Sequence, residues 1–195
     1  HLTFHARADR PSSPYQTASF DEVKRDCELV TGHIRRFAGE GVLSDYTTLH
    51  FGAATVEGCR ALKACGFNGL VGYFTFMDGK PRVSYYVPPE TIRHLEKRDV
   101  WVDTAGGLTF VKHDLVLDTK PLAEIVPILN GIAADPHQSD LMELLIHEEY
   151  FYTRFKLYQP DATLKVRTAL QWLTERGYEP VFYDGGRFME PASGL

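Results

Sequence analysis

Strands alternating with helices along almost the whole chain predict an α/β fold, a parallel sheet or an α/β barrel. Three observations carry that expectation. Thr47 to Phe51, a helix with Cys59 and Leu62, and Asn68 to Phe74 follow one another as strand, helix and strand, the size of one βαβ unit. The run Leu141 to Ile146, broken only by Glu143, reads as a buried strand. No internal repeat or low-complexity linker interrupts the pattern, so residues 1–184 are expected to form one domain and 185–195 a tail.

The elements are justified in chain order. Leu2-Thr3-Phe4-His5 reads as a strand, and Ala6 to Ala18, with Pro11 and Pro14, as a loop. Ser19 stands three residues before Glu22, a capping-box spacing. The helix it opens carries Val23, Cys27, Val30, Ile34 and Phe37 at helical intervals and stops at Ala38-Gly39. After the βαβ unit, Met77-Asp78-Gly79-Lys80 is a turn, with Val83 to Val87 as the returning hairpin arm. Pro88-Pro89 opens a helix through Lys97. Leu108 to Val111 and Leu115 to Leu117 read as strands, and Pro121 starts a helix to about Ala133. Leu141 to His147 is a further strand. Pro160 opens a long helix ending at Gly177, and Glu179 to Tyr183 is the last strand.

Composition removes several function classes. Net charge is −5, with 21 Lys and Arg against 26 Asp and Glu, and no basic cluster extends beyond Arg35-Arg36. That is no footprint for nucleic acid. No apolar run has membrane-spanning length, and no signal peptide is visible. The three cysteines lack metal-ligand spacing and are expected to be reduced. A cytoplasmic location is the default expectation. The chain starts without methionine, apparently within a strand, which suggests the tail of a longer protein. No P-loop, GxGxxG or GxSxG is present, so nucleotide binding and serine hydrolysis have no support.

Histidine is where the chemistry concentrates. Three predicted strands end in it, at His5, His50 and His147, and α/β folds place chemistry at C-terminal strand ends. His5 and Asp9 lie four apart past a strand, within reach of one divalent metal. Equally, Asp9 caps a turn and pairs with Arg7 or Arg10. In His50-Phe51-Gly52 the glycine permits close backbone approach to a ligand, or His50 is a buried strand histidine bonded to backbone. Around His147, Glu148 and Glu149 supply carboxylates, one of which would orient the imidazole and raise its pKa for acid catalysis. Tyr150, Tyr152, His113 and Asp114 are candidate substrate contacts, the tyrosines as platforms for sugar rings or simply as packing.

The order of these parts resembles the polysaccharide deacetylase family, in an uncharacterised bacterial branch. His5 to Asp9, the proline-bearing loop and Ser19-Phe20-Asp21-Glu22-Val23 resemble that family's second metal-binding segment, His-Ser/Thr-x-x-His. Arg60-Ala61-Leu62-Lys63-Ala64-Cys65-Gly66 resembles the helix of its third segment. Leu144-Leu145-Ile146-His147-Glu148 is similar to its Leu-x-His-Asp/Glu segment, and Trp172 to Val181 to its closing element. The resemblance implies a distorted seven-stranded (β/α) barrel and a divalent metal, Zn²⁺ or Mn²⁺/Mg²⁺, that activates water. It implies loss of acetyl from an N-acetylated carbohydrate, with His147 as acid to the leaving amine and His5, Asp9 and His50 as metal ligands. The family's first segment, with its paired aspartates, is expected upstream of His1. Asp9 stands where the family has a second histidine, and Leu49-His50-Phe51-Gly52 where it has Arg-x-Pro. A glycoside hydrolase using a carboxylate pair, or a non-catalytic carbohydrate-binding protein on the same barrel, are the competing expectations.

Overall fold

The structure, a computed structural model, describes residues 1–8, 13–82 and 84–183. The fold is mixed α/β, with five α-helices among the described residues. It divides into two compact units. The first is His1–Lys112 together with Phe182 and Tyr183, and the second is His113–Val181.

The first unit opens with residues that the sequence assigns to a strand. Only one bridge forms there, Leu2 to Leu43. The segment is tied by side chains instead of a ladder. The Thr3 hydroxyl donates to the Tyr46 carbonyl at 3.0 Å, and the Thr47 hydroxyl donates to the Phe4 carbonyl. Helix α1 spans Phe20–Ala38 and has the full capping box. The Ser19 oxygen accepts from Glu22 N–H, and the Glu22 carboxylate accepts from Ser19 N–H at 2.8 Å. Its buried face is Val23, Cys27 and Thr31. Phe37, expected on that face, is 88% exposed. Six residues past Thr31, it has turned roughly 240° around the axis and away from the core.

Strand β1 is Tyr46–Thr47 and ends well before the expected Phe51; a 3-10 turn takes over at His50–Gly52. Helix α2, Val56–Ala64, starts on a Thr55 cap and packs on α1 at Gly58, where a β-carbon would meet Val23. Strand β2 is Gly69–Gly72, and β3 (Thr75–Met77) pairs with β4 (Lys80–Arg82) as a hairpin. Asp78 and Gly79 both have positive φ, 52° and 73°, the signature of a two-residue hairpin turn. The returning arm is β4, earlier than the expected Val83 to Val87; Val83 itself lies outside the described residues. Helix α3 is Pro89–Leu95, β5 Val100–Asp103 and β6 Leu108–Lys112.

The main sheet has the order β1-β2-β6-β5. Strands β1, β2 and β6 run parallel, and β5 returns antiparallel to β6. Every residue of β2 and β6 is buried, which is why both read as unbroken runs rather than alternating ones. Phe4, Leu49, Leu62, Leu70, Phe74 and Phe110 fill the core beside them.

In the second unit, β7 (Leu115–Val116) pairs in parallel with β8 (Leu144–Leu145). Helix α4, Leu122–Ala133, and helix α5, Ala162–Glu175, bury Ile125, Leu129, Ala169 and Trp172 between them. The Trp172 indole donates to Asn130 Oδ1 at 2.9 Å, and the Arg176 guanidinium stacks 4.0 Å above its ring. Strand β8 is shorter than the expected Leu141 to His147, and Glu179 to Tyr183 forms no strand. Among the described residues the strands close no barrel. They make one four-stranded and two two-stranded sheets. No helix among them is long and apolar enough to cross a membrane. The expected tail, 185–195, lies outside the described residues.

All three cysteines are free thiols. Cys27 and Cys65 share a hydrogen bond that pushes the Cys27 thiol up, and burial pushes Cys59 up. We expect three titratable thiols on unreduced, unfolded protein. Two glycines give a sharper check on the fold. A β-carbon on Gly69 would drive into the Tyr46 ring, whereas Gly32, on the exposed side of α1, has nothing within 4 Å. Gly69→Ala should therefore cost about 1–3 kcal/mol, and Gly32→Ala should gain up to about 1 kcal/mol. Denaturant midpoints at constant slope measure both.

Candidate functional site

The second unit builds its site from the ends of two parallel strands. Leu115 pairs with Leu144 and Val116 with Leu145. Continuing that register by two residues sets Asp118 opposite His147. The chain turns into 3-10 conformation at Leu117–Thr119 after β7 and at Glu148–Phe151 after β8, so the two side chains come together where the ladder stops. The Asp118 Oδ1 accepts twice from the same residue. It takes the His147 backbone N–H at 3.0 Å and the ring Nδ1–H at 3.0 Å. The Asp118 side chain is 2% exposed and the His147 side chain 44%. One partner is sealed, and the other is open on its far side.

The electrostatics follow from that contact. The hydrogen bond that the ring donates to Asp118 is the main cause of a raised His147 pKa. Burial opposes it, and the charges of Asp118, Glu149 and Glu148 add to it. For Asp118, burial alone would push the carboxyl up, but the ring and backbone bonds from His147 together outweigh it, and the net is downward. The pair is an ionised carboxylate holding an imidazole that keeps its proton above the ordinary 6.5. With Nδ1 committed, Nε2 is the nitrogen that can meet a substrate, which is the geometry of a general acid.

The neighbours are aromatic. The Tyr150 ring lies 6.1 Å from the imidazole, edge-on, and Phe155 lies 5.5 Å beyond it. Burial, followed by the charges of Asp118 and Glu149, raises the Tyr150 phenol pKa. Tyr152 is 62% exposed. Glu148 and Glu149 sit in the 3-10 turn that follows His147. Asp118 takes the orienting role that the sequence offered to those two glutamates. His113 and Asp114 are built differently from substrate contacts. The His113 side chain is 1% exposed, 3.5 Å from Glu143, and Asp114 accepts from Glu143 N–H at 2.9 Å, fastening β7 to β8.

The first unit holds a histidine pair. His5 Nδ1 donates to the Thr48 carbonyl, and its Nε2 lies 3.0 Å from His50 Nδ1. The His50 backbone N–H donates to the His5 carbonyl at 3.2 Å, so main chain and side chains both hold the pair. Phe51, next to it, has φ of 59°, a left-handed conformation unusual for a bulky residue. His50 is thus placed by a strained turn rather than by a strand end. Asp9 lies outside the described residues. Among the described residues, no three His, Cys, Asp or Glu side chains converge as a metal group. His147 lies in the other unit.

Asp118, which holds the His147 ring, is missing from the sequence candidates. Leu115-Val116-Leu117-Asp118 carried the same signal as Leu144-Leu145-Ile146-His147, an apolar run that ends on an ionisable group. No protein-family model, curated protein or solved structure matches the chain significantly.

The Asp118–His147 pair has a signed pH dependence. His147 is raised, so its contribution to stability is full below about 6.5, the unfolded value, and is lost as pH rises through the folded pKa. Asp118 is lowered, so its contribution is present above about 3.8 and is lost as pH falls through its folded pKa. Asp118→Asn should therefore destabilise most between these limits, and less both in acid, where Asp118 is itself neutral, and in alkaline solution, where His147 is neutral. It should also bring the His147 titration, followed by NMR, down in pH. An unmoved His147 titration would mean that the contact does not set its proton affinity.

Proposed function

We propose that the chain is a hydrolase of the metal-dependent carbohydrate deacetylase type, with His147 as the acid that protonates the leaving amine. The observation that supports this most is the sealed Asp118 carboxylate beneath a half-exposed imidazole. Asp118 fixes the ring so that Nδ1 carries one proton and Nε2 presents the other. It also keeps the ring cationic towards neutral pH, when an amine nitrogen needs a proton in order to leave. The Tyr150 ring beside the imidazole and the exposed Tyr152 suit stacking on a pyranose ring, whose axial C–H groups pack on aromatic faces.

His5 and His50 fit the role of ligands to a divalent ion. A metal-binding histidine usually donates its other ring N–H to a carbonyl or carboxylate. His5 does this to Thr48 while its Nε2 faces His50. Such an ion, Zn²⁺ or Mn²⁺/Mg²⁺, would supply Lewis-acid character and a more acidic bound water. Asp9 would complete the set through its carboxylate. In the same proposal the α/β architecture is a distorted (β/α) barrel of the polysaccharide deacetylase kind.

The test is acetate release from N-acetylated chito-oligosaccharides with Zn²⁺, Mn²⁺ or Mg²⁺ supplied. His147→Ala should lower turnover by about 10²- to 10⁴-fold while the protein stays folded by its amide spectrum, with a lower unfolding midpoint because the sealed Asp118 carboxylate loses its ring donor. The His5→Ala, His50→Ala double variant should lose bound metal by direct metal analysis. Turnover that survives in His147→Ala would assign the acid elsewhere. Metal retained at the same stoichiometry in the double variant would remove both histidines from the ligand set.

A further inference from the structure

We infer that Gln159, locked by Lys165, is a positioning residue for the Asp118–His147 pair; this rests on the proposed role of that pair. Gln159 lies just ahead of α5 and touches both turns that carry the pair. Its backbone N–H donates to the Tyr150 carbonyl at 3.0 Å, in the turn after His147. Its side-chain Nε2 donates to the Asp118 carbonyl at 2.8 Å. One residue therefore spans the gap between the two strand ends at the level where the sheet ladder has stopped.

The amide can do this only if it faces the right way, and Lys165 decides that. The Lys165 ammonium lies 2.6 Å from Gln159 Oε1 and 3.6 Å from Asp161 Oδ1. An ammonium has donors and no acceptor, so the amide oxygen must turn to it and the NH₂ must turn to Asp118. Lys165 is costly where it stands. Its side chain is 5% exposed, and it lies on the buried stripe of α5 with Ala162, Ala169 and Trp172. Burying an ammonium is unfavourable unless it is well paired. An apolar residue would serve that stripe as well for packing. What a lysine adds is a donor that forbids the flipped amide.

The consequence is that Asp118 is gripped at both ends. His147 holds the carboxylate oxygen, and Gln159 holds the main-chain oxygen. Releasing the second grip frees the turn at Asp118 to move, and the first contact loosens with it.

The experiment compares Gln159→Met, Lys165→Met and Asp118→Asn by NMR titration of His147. Unfolding midpoints and amide spectra confirm that each variant is folded. The charged and titratable groups around His147 are Asp118, Glu148, Glu149 and Tyr150, and neither methionine variant alters any of them. Both should lower the His147 titration part of the way towards that of Asp118→Asn. The sign is diagnostic for Lys165→Met. Loss of a cation acting through charge alone would raise the imidazole pKa, so a fall reports lost geometry. In the acetate-release assay kcat should fall by up to about 100-fold, as misplacement of about 1 Å can cause, with KM little changed. A His147 titration like that of the parent in both folded methionine variants, with Asp118→Asn shifted, would overturn the inference and leave the pair intact. No shift even in Asp118→Asn would overturn the pair itself, and the inference with it.

Discussion

The second unit depends on one carboxylate oxygen. Strands β7 and β8 are two residues each, too short for a ladder to fix much. Beyond Leu145 the next backbone donor on that side, His147 N–H, has no strand carbonyl to meet. Asp118 Oδ1 takes its place, so a side chain continues the sheet by one more rung. The same oxygen then receives the imidazole. The end of the strand pair and the orientation of the ring therefore share a single acceptor. A buried backbone donor must find a partner, and here the partner is also the group that gives the imidazole its proton affinity.

That arrangement is stable only while Asp118 is charged. Burial works against the charge, because a carboxylate sealed from water loses its hydration. The two donors from His147 reverse the balance. A protonated Asp118 could still accept from one donor but would no longer attract the imidazolium. Either proton added to Asp118 or proton lost from His147 dissolves the ion pair, which is why its stabilising window is bounded on both sides. The open side of the imidazole limits what the pair adds to folding, since a partly exposed charge is screened by water. Its firmer effect is on the orientation of the imidazole, whose Nδ1 it holds.

Much of this was legible in the sequence, and the failures share a cause. Helix α1 was readable because capping, dipole and amphipathicity agree locally. So were α2, α4 and α5. The short strands were not. The strand lengths expected over Thr47 to Phe51 and Leu141 to His147 rest on β propensity, which describes a side chain's fit to a half-buried surface. It says nothing of where a partner strand ends. The strand at Glu179 to Tyr183 failed for the same reason. Strand β5 was missed because Val100-Trp101-Val102-Asp103 earns its pairing only from β6 across the turn. Asp118 escaped because a carboxylate after a three-residue apolar run is common. Only the register, which is a long-range fact, makes it the partner of His147. Gln159 was less legible still, since its meaning lies in bonds to two distant turns.

The two histidine stations show how one residue type is given two trades. In the first unit the Nδ1–H of His5 is held by a backbone carbonyl. A carbonyl is a neutral acceptor. It orients the ring so that Nε2 faces His50. In the second unit the Nδ1–H of His147 is held by a carboxylate. A carboxylate fixes the same nitrogen but favours the doubly protonated ring, the form that donates. The acceptor at Nδ1 follows from where each histidine sits on the chain. His5 lies along Thr47 and Thr48 and meets a main-chain oxygen, and His147 lies opposite Asp118 and meets a carboxylate. The difference between the two histidines is therefore written in their neighbours rather than in the imidazoles.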